Sequence, residues 1–214
     1  MRIVSVNVGL PREVTWRGET ILTGIFKKPV AGRVRVERLN LVGDRQADLT
    51  VHGGADKAVY VYPSEHYAFW REELPGVDLP WGSFGENITS EGIVESDVFV
   101  GDQFNAGSTE LIVTQPRMPC FKLGIRFGRP DIIKPFLKSG RTGFYVSVSR
   151  EGDICAGDEI VMNAQNSEVS VSDIVSLYAG NADHDLLRRA SELSALPEAW
   201  RDHFRERLQS GKMR

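Results

Sequence analysis

Along roughly the first three quarters of the chain, apolar residues alternate with polar ones or gather in short β-branched runs, and Gly, Pro, Asn or Asp interrupts them every few positions. This pattern predicts strands over Ile3 to Val8, Ile21 to Lys27, Arg33 to Leu39, Ala58 to Val61, Asp97 to Val100, Thr109 to Thr114, Gly143 to Ser149 and Asp158 to Met162. Two helices interrupt them. One runs from Ser64 to Leu74 behind Pro63 with a serine cap, and the other runs from Asp131 to Lys138 behind an aspartate. Many short strands with few helices read as a mainly β fold, a barrel or a sandwich.

After about Asn166 the period becomes helical. Ser172 caps Ile174 to Tyr178, Asp183 opens Leu186 to Leu193, and Pro197 opens Trp200 to Leu208. The expected organisation is a β domain over 1–165 and a three-helix domain over 166–214. Helices this short need tertiary packing, so their apolar faces should cover each other and the β domain or a second subunit, which raises the expectation of a homodimer.

The richest local chemistry lies in Gln115-Pro116-Arg117-Met118-Pro119-Cys120-Phe121-Lys122-Leu123. Pro116 and Pro119 stop the strand before them because neither donates a backbone N–H. Helical spacing resumes at Phe121, which puts Cys120 in the first turn of a short helix. Unpaired N–H groups there, with Arg117 and Lys122 nearby, favour a thiolate. Such a thiolate serves as nucleophile or as soft metal ligand, while the alternative is a small buried hydrophobe. Cys155 lies in a turn with no adjacent cation and reads as structural.

A second polar segment, Gly43 to Ala58, carries His52, the pair Gly53-Gly54 and Lys57. The glycines let a backbone approach a ligand closely, and Lys57 suits an anion, although a solvated loop has the same composition. Phe84-Gly85-Glu86-Asn87-Ile88-Thr89 is read either as a site or as a turn entering a strand, and His66 as a helix-face residue. Trp16, Trp81 and Phe84 are candidate aromatic neighbours of a planar ligand.

The 214 residues suffice for a sizeable core, and the net charge of −3 supplies no basic face for nucleic acid. Two cysteines and an alternating N-terminus leave no disulfide scaffold, signal peptide or membrane span to expect, and a reducing cytoplasm is the expected setting. No Gly-x-Gly-x-x-Gly after a strand, Walker loop, Gly-x-Ser-x-Gly or His-Glu-x-x-His is present, and two cysteines cannot hold a four-thiolate iron–sulfur cluster. Zinc on Cys120, His52 and His66 finds no support in the spacing.

In order along the chain, Gly43-Asp44, Val51-His52-Gly53-Gly54-Ala55-Asp56-Lys57-Ala58-Val59, Tyr62-Pro63-Ser64-Glu65-His66-Tyr67, Phe84-Gly85-Glu86-Asn87-Ile88, Gly101-Asp102 and Gln115-Pro116-Arg117-Met118-Pro119-Cys120 resemble a MOSC domain of the YiiM-like branch. The terminal helices resemble the small three-helix domain that follows it. The resemblance implies a β-barrel that binds the molybdenum cofactor, with Cys120 as the thiolate on molybdenum, and at the level of the wider family pyridoxal phosphate binding as well. It implies reduction of small N-hydroxylated compounds such as hydroxylaminopurine bases, with electrons from a separate redox protein. Carried over by position, His52 donates a proton, Lys57 and Arg117 contact the phosphate or the pterin, and Asn87 and Gln115 bond the pterin edge with Glu86 as an acceptor. Val51 stands where some relatives have a basic residue, so Arg45 would have to reach in from its loop. The alternative function is a sulfur carrier or cofactor-delivery protein working through a Cys120 persulfide.

Overall fold

The computed structural model describes residues 1–48, 53–163 and 168–211. Strand β1 (Arg2–Val8) precedes a hairpin, β2 (Arg12–Trp16) and β3 (Glu19–Thr23), and then come β4 (Lys28–Pro29), β5 (Val34–Val36) and β6 (Val59–Pro63). Helix α1 (His66–Glu73) leads to β7 (Ile88–Glu91), β8 (Gln103–Ala106) and β9 (Thr109–Pro116). Helices α2 (Phe121–Phe127) and α3 (Ile133–Lys138) separate β9 from β10 (Phe144–Arg150), β11 (Gly152–Ile154) and β12 (Ile160–Asn163). Helices α4 (Val171–Tyr178), α5 (His184–Glu192) and α6 (Glu198–Gly211) follow.

Eight strands form one sheet in the order β12-β8-β9-β10-β6-β7-β1-β4. Its pairs are antiparallel except β6 with β7, which run parallel because α1 crosses between them. The expected barrel is not closed. Among the described residues β12 and β1 share no ladder, and an isolated bridge between Arg2 and Glu159 joins them, supported by the Ile160 amide bonded to the Met1 carbonyl at 3.0 Å. The hairpin β2–β3 and the pair β5–β11 stand outside the main sheet.

Two apolar clusters pack the β domain. One collects the alternating Val, Ile and Leu side chains of β1, β6, β9 and β10. The other is aromatic and lies under α1, α2 and α3, where the Phe136 ring stacks on Trp70 at 5.4 Å and Phe84 stacks on Tyr62 at 4.6 Å. A third cluster gathers Ile174, Leu177, Leu187, Ala190 and Phe204 of the terminal helices around Val100 of the β domain. Full burial of each such side chain stabilises by about 1.5–3 kcal/mol, so three helices too short to stand alone hold together against this face.

Several elements differ from the expected ones. Asp97 to Val100 is not a strand; Val98 and Val100 instead exchange backbone hydrogen bonds with Val171 and Val169, tying the helical domain down. Strand β3 ends at Thr23, and residues 24–27 leave it because Gly24 passes so close to the Arg45 carbonyl that a Cβ would lie 2.5 Å from it. The cap of α4 is Ser170, which forms a capping box with Asp173, and not Ser172. The cap position of α1 is Glu65, without a side-chain bond, while Asp183 caps α5 as expected. Strand β2 escapes hydrophobic patterning because most of its residues are exposed on both faces.

Glu86, expected at the site, is buried scaffold. Its carboxylate accepts from the Tyr67 hydroxyl, the Gly82 amide at 2.8 Å, the Phe84 amide at 3.0 Å and the Thr89 hydroxyl at 3.0 Å. Burial raises its pKa above the ordinary 4.5, although those donors oppose the rise. A raised carboxyl favours the protonated form in the folded state, so its contribution is full below the ordinary value and is lost as pH rises through the folded value. Glu86→Gln puts an amide donor among donors that bond the wild-type carboxylate and is expected to cost about 1–3 kcal/mol. Urea midpoints measured from pH 4 to 8 should also show a shallower fall with rising pH in the variant.

Candidate functional site

Strand β9 carries the site outward from the sheet. Pro116 is its last residue, opposite Phe144 of β10, where the missing N–H ends the ladder, and the Arg117 amide then bonds the Gly143 carbonyl at 3.2 Å. Gly143 has φ 64°, and a Cβ there would lie 2.5 Å from the Val61 carbonyl, so only glycine lets the chain turn into β10 at this point. The segment 117–120 crosses to α2. Cys120 is not in the first turn, as the spacing predicts, but is the cap residue before it. It has an extended backbone, and its carbonyl accepts from the Leu123 amide at 2.9 Å.

Cys120 is half-buried and opens into a cleft that encloses, with the solvent at its mouth, about 670 Å³. The cleft lies between the 23–27 segment, the 45–47 loop, the glycine turn at Gly53, the Phe84-Gly85 turn and the start of α2. Its described lining contains Lys27, Arg45, Lys57, Arg117 and Lys122, and no aspartate or glutamate. A thiol among clustered cations with no lining acid is a setting for a thiolate and for an anionic ligand. His52 and Val51 lie outside the described residues.

Arg117 is 5% exposed. Its guanidinium lies over the rings of Phe136 at 5.2 Å and Tyr60 at 5.6 Å, and its Nη1 has no hydrogen-bond partner among the described residues. Burial pulls its pKa down, but the tyrosines and Cys120 around it more than offset that, and the net shift is upward. Burial likewise raises the pKa of Tyr60 and Tyr145, against the opposing pull of Arg117, so both hydroxyls stay neutral donors. Lys27 is held in an ion pair with buried Asp44, and its pKa is lowered by burial in spite of that partner. Asp44 also accepts from the Gly9 amide and from Asn87 Nδ2, both at 2.9 Å.

The cleft therefore brings together Cys120, Arg117, Lys57 and Arg45 from three different segments. Asn87 lines it too, but with its amide occupied: Oδ1 accepts from the Tyr60 amide at 3.1 Å while Nδ2 serves Asp44. Gln115 and Glu86 are not in the lining. Gln115 is buried with Oε1 accepting from Trp200 Nε1 at 2.8 Å and Nε2 donating to the Asp56 carbonyl at 3.3 Å. It thus ties α6 to the turn that carries Lys57. His66 is bonded to Glu95 at 2.7 Å, and no group of three or more metal-ligating side chains occurs among the described residues. Cys155 Sγ donates to Asp158 at 3.2 Å, which raises its pKa and leaves it a structural thiol.

The sequence reading missed Lys27, Tyr60 and Tyr145. Lys27 falls at the end of an apolar run and the tyrosines occupy ordinary strand positions, so only the folded sheet reveals that they face the cleft.

Comparison with known proteins matches residues 48–161 to the MOSC domain and residues 169–211 to the YiiM-like 3-alpha helix domain. The chain is 38% identical to the uncharacterized protein YflK of Bacillus subtilis over 204 residues, 94% of this chain and 92% of that one. The crystal structure of YiiM from Geobacillus stearothermophilus superposes with a TM-score of 0.80 at 34% identity, covering 97% of this chain and 98% of that one. A protein named Reductase from Gibberella moniliformis is 32% identical over 213 residues, 97% of this chain but 37% of its own length. None of the described helices is long and apolar enough to cross a membrane.

Two outcomes follow from this geometry. Cys120 faces cations and Cys155 faces Asp158, so the ratio of alkylation rates with iodoacetate over iodoacetamide should be several-fold higher at Cys120, read by peptide mass spectrometry. Trp200→Phe leaves buried Gln115 Oε1 without its donor and should cost about 1–2 kcal/mol. Hydrogen exchange at Asp56 and Lys57 should quicken while β1 stays protected.

Proposed function

The chain belongs to the MOSC family, with a YiiM-like three-helix domain behind the MOSC domain, and from that premise we propose that its cleft binds the molybdenum cofactor and reduces N-hydroxylated compounds. The observation that carries this reading is the buried Nη1 of Arg117, without a partner among the described residues, in a cationic cleft whose described lining holds no acid and includes a half-buried thiol. A phosphate-bearing pterin with a soft metal fits that donor set. Phosphate suits the guanidinium and ammonium groups, and molybdenum suits a thiolate.

In this reading Cys120 is the protein ligand to molybdenum, and Arg117, Lys57, Arg45 and Lys122 hold the anionic parts of the cofactor. When bound, the cofactor supplies the two-electron oxygen transfer by which an N-hydroxyl compound, two electrons and two protons become an amine and water. Tyr145, kept neutral by burial, orients ligands through hydrogen bonds, while Tyr60, whose hydroxyl donates to the Thr142 carbonyl at 2.7 Å, supplies a ring wall, and neither adds negative charge beside the thiolate. Packing of the Tyr60, Phe84 and Ile25 walls keeps bulk water from the floor of the cleft. His52 is the proposed proton donor. The electrons come from a separate redox protein in the cytoplasm, and the protein named Reductase, which carries a related segment within a longer chain, supports a reductive chemistry.

The test is molybdenum analysis of protein purified from a cofactor-producing host. Wild type is expected to hold about one metal per chain and Cys120→Ser close to none, at unchanged thermal midpoint. A well-folded wild type without molybdenum would sink the ligand assignment, and a Cys120 persulfide found in that protein by mass spectrometry would favour sulfur carriage instead.

A further inference from the structure

Outside the cleft, two arginines share one ring. The guanidinium carbon of Arg12, on the exposed hairpin, lies over Phe26 at 3.8 Å from the ring centroid, and that of Arg126, on α2, lies at 5.7 Å from the same centroid. Neither is in an ion pair among the described residues. Arg126 Nη2 donates to the Ser83 hydroxyl at 3.1 Å, while its Nε is buried with no partner among the described residues. Burial lowers the Arg126 pKa most, and the Arg12 charge lowers it further, against the upward pull of Tyr67, Glu86 and Asp78. Stacking on an aromatic face accounts for one guanidinium over Phe26. It leaves two like charges over one ring with no carboxylate in an ion pair with either, and an anion in contact with both would offset their repulsion.

The position of the pair is continuous with the cleft. Ile25 and Lys27, which flank Phe26, both line it. Lys122 lines it as well, and Arg126 lies four residues further on the same face of α2, about 6 Å along the axis. The cationic track that starts beside Cys120 thus runs one helical turn past the cleft and ends at these arginines.

We propose that Arg12 and Arg126 form a phosphate subsite at the end of the cleft, which holds the phosphate ester of a nucleotide whose base or pterin end lies beside Cys120. This deepens the reading above and rests on it for what occupies the cleft. Two sources carry that chemistry: a substrate presented as a nucleotide and not as a free base, or a nucleotide extension of the cofactor itself. Each guanidinium offers two parallel N–H donors to phosphate oxygens, and the orphaned Arg126 Nε is one of the donors such a contact would use.

Adenosine 5′-monophosphate and adenosine serve as probes, titrated calorimetrically into the molybdenum-loaded protein and into protein from a host that cannot make the cofactor. Wild type is expected to bind the monophosphate at least about tenfold tighter than the nucleoside, which is about 1.4 kcal/mol. Arg12→Gln and Arg126→Gln should each remove most of that preference and leave adenosine binding as it was. Arg12 is exposed, so its variant separates loss of the subsite from loss of folding, and thermal midpoints of both are taken alongside. A preference present in the loaded protein assigns the subsite to substrate phosphate; one present only in the cofactor-free protein assigns it to the cofactor. Equal binding of the two probes in both forms would overturn the proposal, as would a preference that survives both substitutions. If the purified chain carries no molybdenum but its arginine-dependent preference persists, the cofactor reading fails and the subsite stands.

Discussion

A guanidinium sealed inside a protein without a carboxylate is a costly arrangement, and Arg117 is in that position. The surroundings make it tolerable by other means. Phe136 and Tyr60 present ring faces to the charge, Tyr145 lies close by, and the Cys120 thiol is near enough to raise the arginine's pKa. Phe136 is itself fixed by stacking on Trp70 and by a tilted contact with Phe84, so the aromatic cluster beneath the helices doubles as the floor on which the cation rests. The charge left over points to an anion as the missing partner, and the acid-free lining of the cleft says the same.

The scaffold holds its own polar groups so that they do not compete for that anion. Asp44 is consumed by Lys27, Asn87 and the Gly9 amide, and Glu86 by two hydroxyls and two amides. Both carboxylates lie near a site where a free acid would repel a phosphate, and both are locked into backbone or side-chain bonds instead. The same logic makes Gln115 and Asn87 supports: each amide is spent on both ends, which is what a rigid loop requires. The helical domain joins this arrangement through Trp200, so a segment remote from the thiol helps to fix the turn that carries Lys57.

Much of this was legible from residue order. Alternation in Ile3 to Val8 and Thr109 to Thr114 predicts β1 and β9, the change of period near residue 166 predicts the three helices, and Pro116 with Pro119 marks the place where Cys120 leaves the sheet. Side-chain roles were less legible. Glu86, Asn87 and Gln115 have the composition of ligand-binding residues, and no local pattern distinguishes an amide that faces a ligand from one that braces a loop.

The sequence by itself determined the mainly β character, the helical C-terminal part and the chemical identity of the thiol and cations near it, because periodicity and proline act within a few residues of their own position. Only the tertiary structure decided that the sheet stays open, that Tyr60, Tyr145 and Lys27 line the same cleft as the thiol, and that Arg12 and Arg126 both lie over Phe26. Those outcomes depend on strands and loops that are not neighbours in the chain being brought together, and long-range packing leaves no mark in local spacing.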